Sequence, residues 1–412
     1  MAISDINEYA HLTDADVEAF GVELDALRRR IESELGERDV KYLRRTIIGQ
    51  RVLEVAGRLA LLGSNRKSLW LAGTAALSVA KIIENMELGH NVMHGQWDWM
   101  NDPEIHSTSW EWDMVCASPH WKHSHNYIHH KYTNVLDMDH DVGYKVLRVT
   151  RDQQWRPKNL LQPLQNLILA ATFEWGIALH DLDLEGIIKG TRPRDEGIPE
   201  LKLFLAKAAR QLGKDYVLFP AASGLAQRSP KGAATALGAN LTANLVRNVW
   251  AYAVIFCGHF PDGAEKFTAD TLEDETQGQW YLRQMLGTAN FDAGPALAFM
   301  SGNLCYQIEH HLYPDLPSNR LAEVSVAVRE LCEKYDLPYN TDSFTMQYLR
   351  TLRTINKLAL PDSFLSDTVD DAPETTSERR FDALGERAPG LRTALARMKD
   401  RGLSRALRTR RL

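Results

Sequence analysis

Residues 120–134 read HWKHSHNYIHHKYTN, and His123, His125, His129 and His130 fall within eight positions of one another. The chain has fourteen histidines in 412 residues, so this density calls for an explanation. On a helix, side chains four apart share a face with an offset of about 40°. His125 and His129 therefore lie on one stripe. His130 diverges from His129 by about 100°. A histidine followed four places on by a histidine pair can thus point at two adjacent metal ions. His123 lacks that register, which makes it a side chain near the site or an exposed one.

Two further clusters repeat the theme. His90 and His94 are spaced HxxxH, and Gln307, His310 and His311 stand in QIEHHLYP (307–314). One HxxxH is ordinary surface or core chemistry. Three clusters holding seven of the fourteen histidines are not readily a matter of chance. Imidazole suits zinc, copper, iron and nickel. A helical zinc hydrolase carries HExxH with the glutamate as base, and His90-Asn91-Val92-Met93-His94 lacks it. A structural zinc takes four ligands, fewer than the imidazoles present. The four cysteines, at 116, 257, 305 and 332, are not clustered with the histidines, which excludes an iron–sulfur site. Two redox-active irons held mainly by nitrogen fit the count. Glu87-Leu88-Gly89-His90 also spells the ExxH of ferritin-like bundles. The nearest match to a second such element, Asp137-Met138-Asp139-His140, has the wrong acid and no supporting helix pattern, so Glu87 is expected to orient a ligand histidine instead.

The rest of the chain supplies the frame. Net charge is −6, with 44% apolar and 25% charged residues, a globular balance without the basic excess of a nucleic-acid binder. The N-terminus, MAISDINEYAHLTDADVEAF, is acidic and polar, unlike a signal peptide. Helical periodicity dominates, so the fold class is all-α. Thr13 and Asp16 open an amphipathic helix over 12–35. Mean hydropathy is only −0.33, yet 47–63 and 69–89 flank the turn SNRKS, and 215–227 and 233–258 flank RSPKG. These are two candidate transmembrane hairpins whose Lys81 and Arg247 must face protein or snorkel. Segment 159–180, interrupted by Gln162, Gln165 and Glu174, reads as an amphipathic helix on the membrane surface. The Lys- and Arg-rich connector after it favours the cytoplasmic side. Domain limits follow: 1–44 an N-terminal helical segment, 45–345 the main domain, 346–361 a trailing helix, and 362–412 a disordered tail. The tail ends in a basic stretch (391–412) that could touch anionic headgroups; a solvated tail is the preferred reading there.

HxxxH, then HxxxHH some thirty residues later, then QxxHH near the end resembles the three histidine boxes of the integral-membrane fatty-acyl desaturases. The glutamine in QIEHHLYP and Thr133-Asn134 after the second box are similar to the front-end and actinobacterial acyl-CoA branch. The run ENMELGHNVMHGQWDWMNDPEIHS (84–107) resembles the mycobacterial acyl-CoA desaturases. The resemblance covers about 45–345. It implies a membrane-associated helical bundle with two transmembrane hairpins and a cytoplasmic helical cap holding a di-iron (two Fe2+) site. It also implies ligands at His90, His94, His125, His129, His130, His310 and His311. By spacing alone His259 is a lone buried histidine, and the resemblance makes it a further ligand. Gln307 takes the place of another box-three histidine, where its carbonyl oxygen could ligate weakly or hold a water.

The activity implied is O2-dependent insertion of a double bond into a long-chain acyl-CoA at the cell membrane, with the site facing the cytoplasm. The tryptophan-rich stretch 97–121 and FDAGPALAFM (291–300) are candidate walls for the chain. Neither a GxGxxG unit nor an HPGG haem motif is present, so a separate NAD(P)H-dependent reductase must supply electrons. An acyl hydroxylase would use the same boxes, and a non-catalytic metal storage or transport protein is the alternative from another class.

Overall fold

The computed structural model describes residues 9–377 apart from 183, 191, 192 and 367. These residues are mostly helical, as the periodicity predicts. The two strands, Asn290–Asp292 and Thr341–Ser343, pair in parallel. The first helix, Asp14–Ser33, opens on a capping box in which the Thr13 hydroxyl and the Asp16 carboxylate each accept the other's backbone N–H. That arrangement satisfies two donors a helix start leaves unpaired. Its buried stripe of Phe20, Leu24, Leu27 and Ile31 packs in one apolar cluster with Leu282 and Val328. The N-terminal segment is thus part of the main core. Helix Glu37–Leu61 runs straight through the boundary expected at 44.

Glu37–Leu61 pairs with Lys67–Ile82, and Phe219–Ala226 with Pro230–His259. These helix pairs fall at the positions of the two expected hairpins. The connector before the second is itself helical: Arg194–Leu212 passes through a π turn, Gly213–Leu218, into Phe219–Ala226. Among the described residues no helix is long and apolar enough to cross a membrane. The reason is where the polar groups sit. Lys81 bonds Asp215 at 2.8 Å and Asp113 at 3.1 Å, Arg58 bonds Asp215 at 2.9 Å, and Arg247 bonds Glu174 at 2.6 Å. All of these cations are buried between helices. The outward faces carry Val52, Val55, Leu59, Leu71, Leu225, Leu241, Leu245 and Val249. Averaging hydropathy along a helix mixes these two faces.

Segment 159–180 is not one helix. It breaks at Thr172 into Gln162–Ala171 and Phe173–Asp181. Gln162 and Asn166 turn inward. The Gln162 amide donates to the Arg148 and Ile355 carbonyls, both at 2.8 Å, while Leu160, Leu161, Leu164, Leu167 and Ile168 face out. The tail also differs from expectation at its start. Leu365, Ala372 and Glu374 are buried, and Arg148 pairs with Asp362 and Arg151 with Glu374. Order therefore extends at least to Ser377, because two arginines of the 148–151 loop need those carboxylates. The basic stretch 391–412 lies outside the described residues.

Candidate metal centre

Both of the first two boxes sit where the helix widens. Ile83–His90 and Lys122–His129 are π-helical, a form that recurs at functional sites and closes i→i+5 hydrogen bonds. Box three lies on the short helix Gln307–Leu312, and His259 ends the long helix Pro230–His259. These four elements converge. One group comprises His90, His94, His125 and His310, and a second His129, His259 and His311. Within each group the ligating atoms lie within 4.8 Å of one another. His130 stands between the groups, its ring centroid 4.7 Å from His94, 4.9 Å from His310 and 4.4 Å from His311. His123 is outside: exposed, and stacked on Tyr127.

The donor set fits metal. The inward Nε2 atoms of His94, His125, His129, His130, His310 and His311 are buried without a hydrogen-bond partner, as is Nδ1 of His259. Each such orphan costs about 1–3 kcal/mol unless something binds it, and a metal ion at these atoms would remove that cost. Burial pushes His90 down to about 3 and holds His94, His130, His259, His310 and His311 well below the usual imidazole range. Those rings are neutral at pH 7, which is the ligating form. His129 goes the other way: burial lowers it, but the Asp139 and Asp141 carboxylates outweigh burial and leave it raised.

The outer nitrogens are tied down. His129 Nδ1 lies 2.9 Å from Asp139, His125 Nδ1 3.2 Å from Asp141, His90 Nδ1 2.9 Å from the Asn91 amide oxygen, and His311 Nδ1 3.1 Å from that of Gln284. A partner on Nδ1 fixes the tautomer and aims Nε2 inward. Asp139 is itself held by the backbone N–H groups of Asn134 and Asp141, at 2.8 and 2.9 Å. Sequence reasoning missed Asp139 and Asp141, although the acid run DMDHD (137–141) directly after the second box was a signal. His180 Nε2 also lies 3.3 Å from Asp141. Asp139→Asn is expected to weaken metal retention by about 10- to 100-fold, the usual cost of losing such a partner. Metal per chain after dialysis against a graded chelator checks this.

Glu87 does not orient a histidine. Its carboxylate accepts from Tyr42 and Ser318, both at 2.7 Å, and from Asn303 at 3.1 Å, joining three segments. Asn91 does the orienting instead. Gln307 does reach the centre, its amide nitrogen 3.1 Å from His259 Nε2. Gly258 makes room for it, since a Cβ there would come 2.7 Å from Gln307 Cγ.

A small, mainly apolar cavity of about 30 Å³ adjoins the first group, with Trp112, Trp121, Phe173, Ile177, Ile255 and Leu304 in its wall and His90, His125, His259, Asp141 and Asp181 at its edge. Trp112 and Trp121 thus come from the expected stretch, but Trp97, Trp99 and Trp110 do not line the cavity, and neither does 291–300. That second segment lines outer grooves instead, through Ala293, Pro295, Ala298 and Phe299. Trp112 also lines a polar cavity that contains Arg51, Lys207, Arg210 and Lys214 together with Glu54, Glu84, Glu111 and Asp113.

The model of the fatty acid desaturase family matches residues 68–343. The chain is 60% identical over 417 residues, 99% of its own length and 97% of the other protein's, to "NADPH-dependent stearoyl-CoA 9-desaturase" of Mycobacterium tuberculosis. It is 25% identical over 284 residues, 65% of this chain and 74% of that one, to "sn-1 linoleoyl-lipid 6-desaturase" of Synechocystis. Over 81 residues, 20% of this chain and 18% of the other, it is 42% identical to "Acyl-lipid (9-3)-desaturase" of Borago officinalis. With its histidines converging as described and the family model spanning the segments that carry all of them, the chain belongs to the fatty acid desaturase family.

Proposed function

We propose that the chain introduces a double bond into a long-chain acyl-CoA, at carbon 9 as in the mycobacterial relatives, at two irons held by His90, His94, His125, His129, His130, His259, His310 and His311. Convergence of eight imidazoles, seven buried and His125 part-buried, beside a mainly apolar cavity is the observation that carries this reading. In balance, two hydrogens leave neighbouring carbons of the chain, two electrons and two protons enter from outside, and one O2 leaves as two waters. Bound iron supplies the oxidant that unactivated C–H bonds require. The protein's residues do the rest. Asp139, Asp141, Asn91 and Gln284 hold the rings in register, so the metal positions are set before substrate arrives. Trp112, Phe173 and Ile255 place the alkyl chain against the first histidine group and keep water away. Trp112 divides apolar from polar space, so the acyl chain lies on one side and the CoA phosphates on the other. Arg51, Lys207 and Lys214 there already pair with Glu84, Glu111 and Asp113. Arg210 is the cation in that cavity for which no carboxylate partner is found among the described residues.

The electron source is a separate NADPH-dependent reductase, in keeping with the names of the mycobacterial relatives. The seat is a cell membrane, with the site on the cytoplasmic side. The hairpins support this by their inside-out arrangement: no charged side chain is exposed from Gly232 through His259 or from Leu69 through Ile82, and on Glu37–Leu61 the exposed cation beyond Arg45 is Arg51, paired with Glu84. Glu37–Leu61 and Pro230–His259 rise about 37 and 45 Å at 1.5 Å per residue, enough for a hydrocarbon core of about 30 Å. The test is reconstitution with iron, reductase, NADPH and stearoyl-CoA. A product lighter by two hydrogens, with the bond placed by fragmentation, is expected. A product heavier by one oxygen would make the chain a hydroxylase, and iron binding without O2 uptake would make it a store.

A further inference from the structure

A groove of about 730 Å³ runs along the outer face of helix Glu37–Leu61. It shares no lining residue with the cavity beside the histidines. Its composition is one-sided. Arg38, Lys41 and Arg45 line one end, and no acidic side chain lines any part of it. The other end is apolar, with Val52, Leu53 and Ala56 on the helix facing Ile83 and Phe299. Positions 38, 41, 45, 49, 52 and 56 follow the three- and four-residue steps of one helical stripe. Cations and apolar run are therefore collinear rather than mixed.

The dimensions name the occupant. From Arg45 to Ala56 the helix rises about 16 Å, and one leaflet of a hydrocarbon core is about 15 Å deep. The cations then stand at headgroup level and the apolar run at acyl-chain depth. Arg45 has no carboxylate partner among the described residues. Among the described residues Lys41 meets only Glu37, across an exposed pair in which the two side chains are 60% and 86% accessible, and Arg38 meets Glu323 at 2.9 Å in another exposed pair. Such a pair holds little energy and yields readily to a phosphate.

We infer that this groove binds one anionic phospholipid, phosphate at Arg38, Lys41 and Arg45 and one acyl chain along Gly49–Ala56. The inference rests on the membrane seat proposed above. Its consequence reaches the metal centre through Tyr42, which lines the groove and donates to Glu87 at 2.7 Å, the carboxylate that also holds Asn303 and Ser318 on either side of box three. Occupancy steadies that junction.

The test compares the full chain with a Lys41→Ala/Arg45→Ala variant. Both side chains are exposed, so the variant is expected to fold, and its lipid-free melting temperature should equal that of the parent. First, the parent is fractionated. Recovery in the membrane pellet, with release by detergent alone, is expected; a chain free in the supernatant sinks the membrane seat and the lipid site with it. Then phosphatidylglycerol and phosphatidylcholine are titrated onto both proteins in micelles and counted by native mass spectrometry. The parent should retain one phosphatidylglycerol. The variant should bind it about 25-fold more weakly, from about fivefold per basic residue near a headgroup. Phosphatidylcholine should not distinguish the two. A pelleting parent that holds both lipids alike, or a variant that keeps phosphatidylglycerol as tightly as the parent, overturns the groove assignment alone. So does displacement of the lipid by stoichiometric acyl-CoA, which would make the groove a substrate path.

Discussion

Alanine at position 129 is expected to abolish turnover while leaving the helical fold intact. His129 is a member of the three-histidine group, its ring centroid 4.8 Å from His259 and 5.1 Å from His311. Removing it leaves two imidazoles in that group, too few to hold an ion firmly, with His130 shared between both groups. It also strips Asp139 of its only imidazole partner, though two backbone N–H groups remain on that carboxylate. Those donors are why the variant should still fold. The loss of activity should exceed about 100-fold, the upper end of what removing an outer partner alone costs. Bound iron, measured per chain, should fall from two toward one. Turnover within a few-fold of the parent would mean that the second group holds no catalytic metal.

The second large effect separates two neighbours. His125→Ala should lose activity as completely as His129→Ala, because His125 closes the four-histidine group and its ring lies 5.6 Å from His90 and 5.1 Å from His94. His123→Ala should retain most activity, since its exposed ring meets Tyr127 and points away from the centre. Measuring kcat and iron content for both variants in one preparation decides it. Loss of iron from the His123 variant with retention by the His125 variant would move the ligand register by two residues.

Some of this was readable before any coordinates. The four-residue histidine spacing encodes a shared face whether the turn is α or π, so the widening at both boxes did not spoil the inference that His90 with His94, and His125 with His129, face one way. The capping box at Thr13 was equally local, since an N-cap and its partner are three residues apart. Lys81 and Arg247, awkward inside apolar segments, implied that those segments turn a polar side to protein. Both find carboxylates on other elements, Lys81 at Asp215 before the second hairpin and Arg247 at Glu174 on Phe173–Asp181.

Other features had no local signature. Asp139 stood in the Asp137–His140 match only as an intervening residue, yet it acts from a loop, where backbone N–H groups rather than periodicity fix it. Glu87 matched a ligand-orienting spacing but was drawn to Tyr42, Asn303 and Ser318, groups up to 231 residues away in sequence. Segment 159–180 read as an amphipathic helix, but which side faces in depended on the Arg148 and Ile355 carbonyls that Gln162 satisfies. Packing against 291–300 turned that stretch from a substrate wall into an outer groove.

By itself the sequence determined the helical class, the three boxes and the number of imidazoles to be accommodated, because these follow from spacing along one helix. Only the tertiary structure decided how eight rings divide into two groups with His130 between them, that His259 and Gln307 meet, and that the cations of Arg38, Lys41 and Arg45 top an apolar groove. The physical reason is range. A helix fixes neighbours within about two turns, whereas a metal centre and a groove are made where elements a hundred or more residues apart are pressed together, and that choice belongs to the whole core.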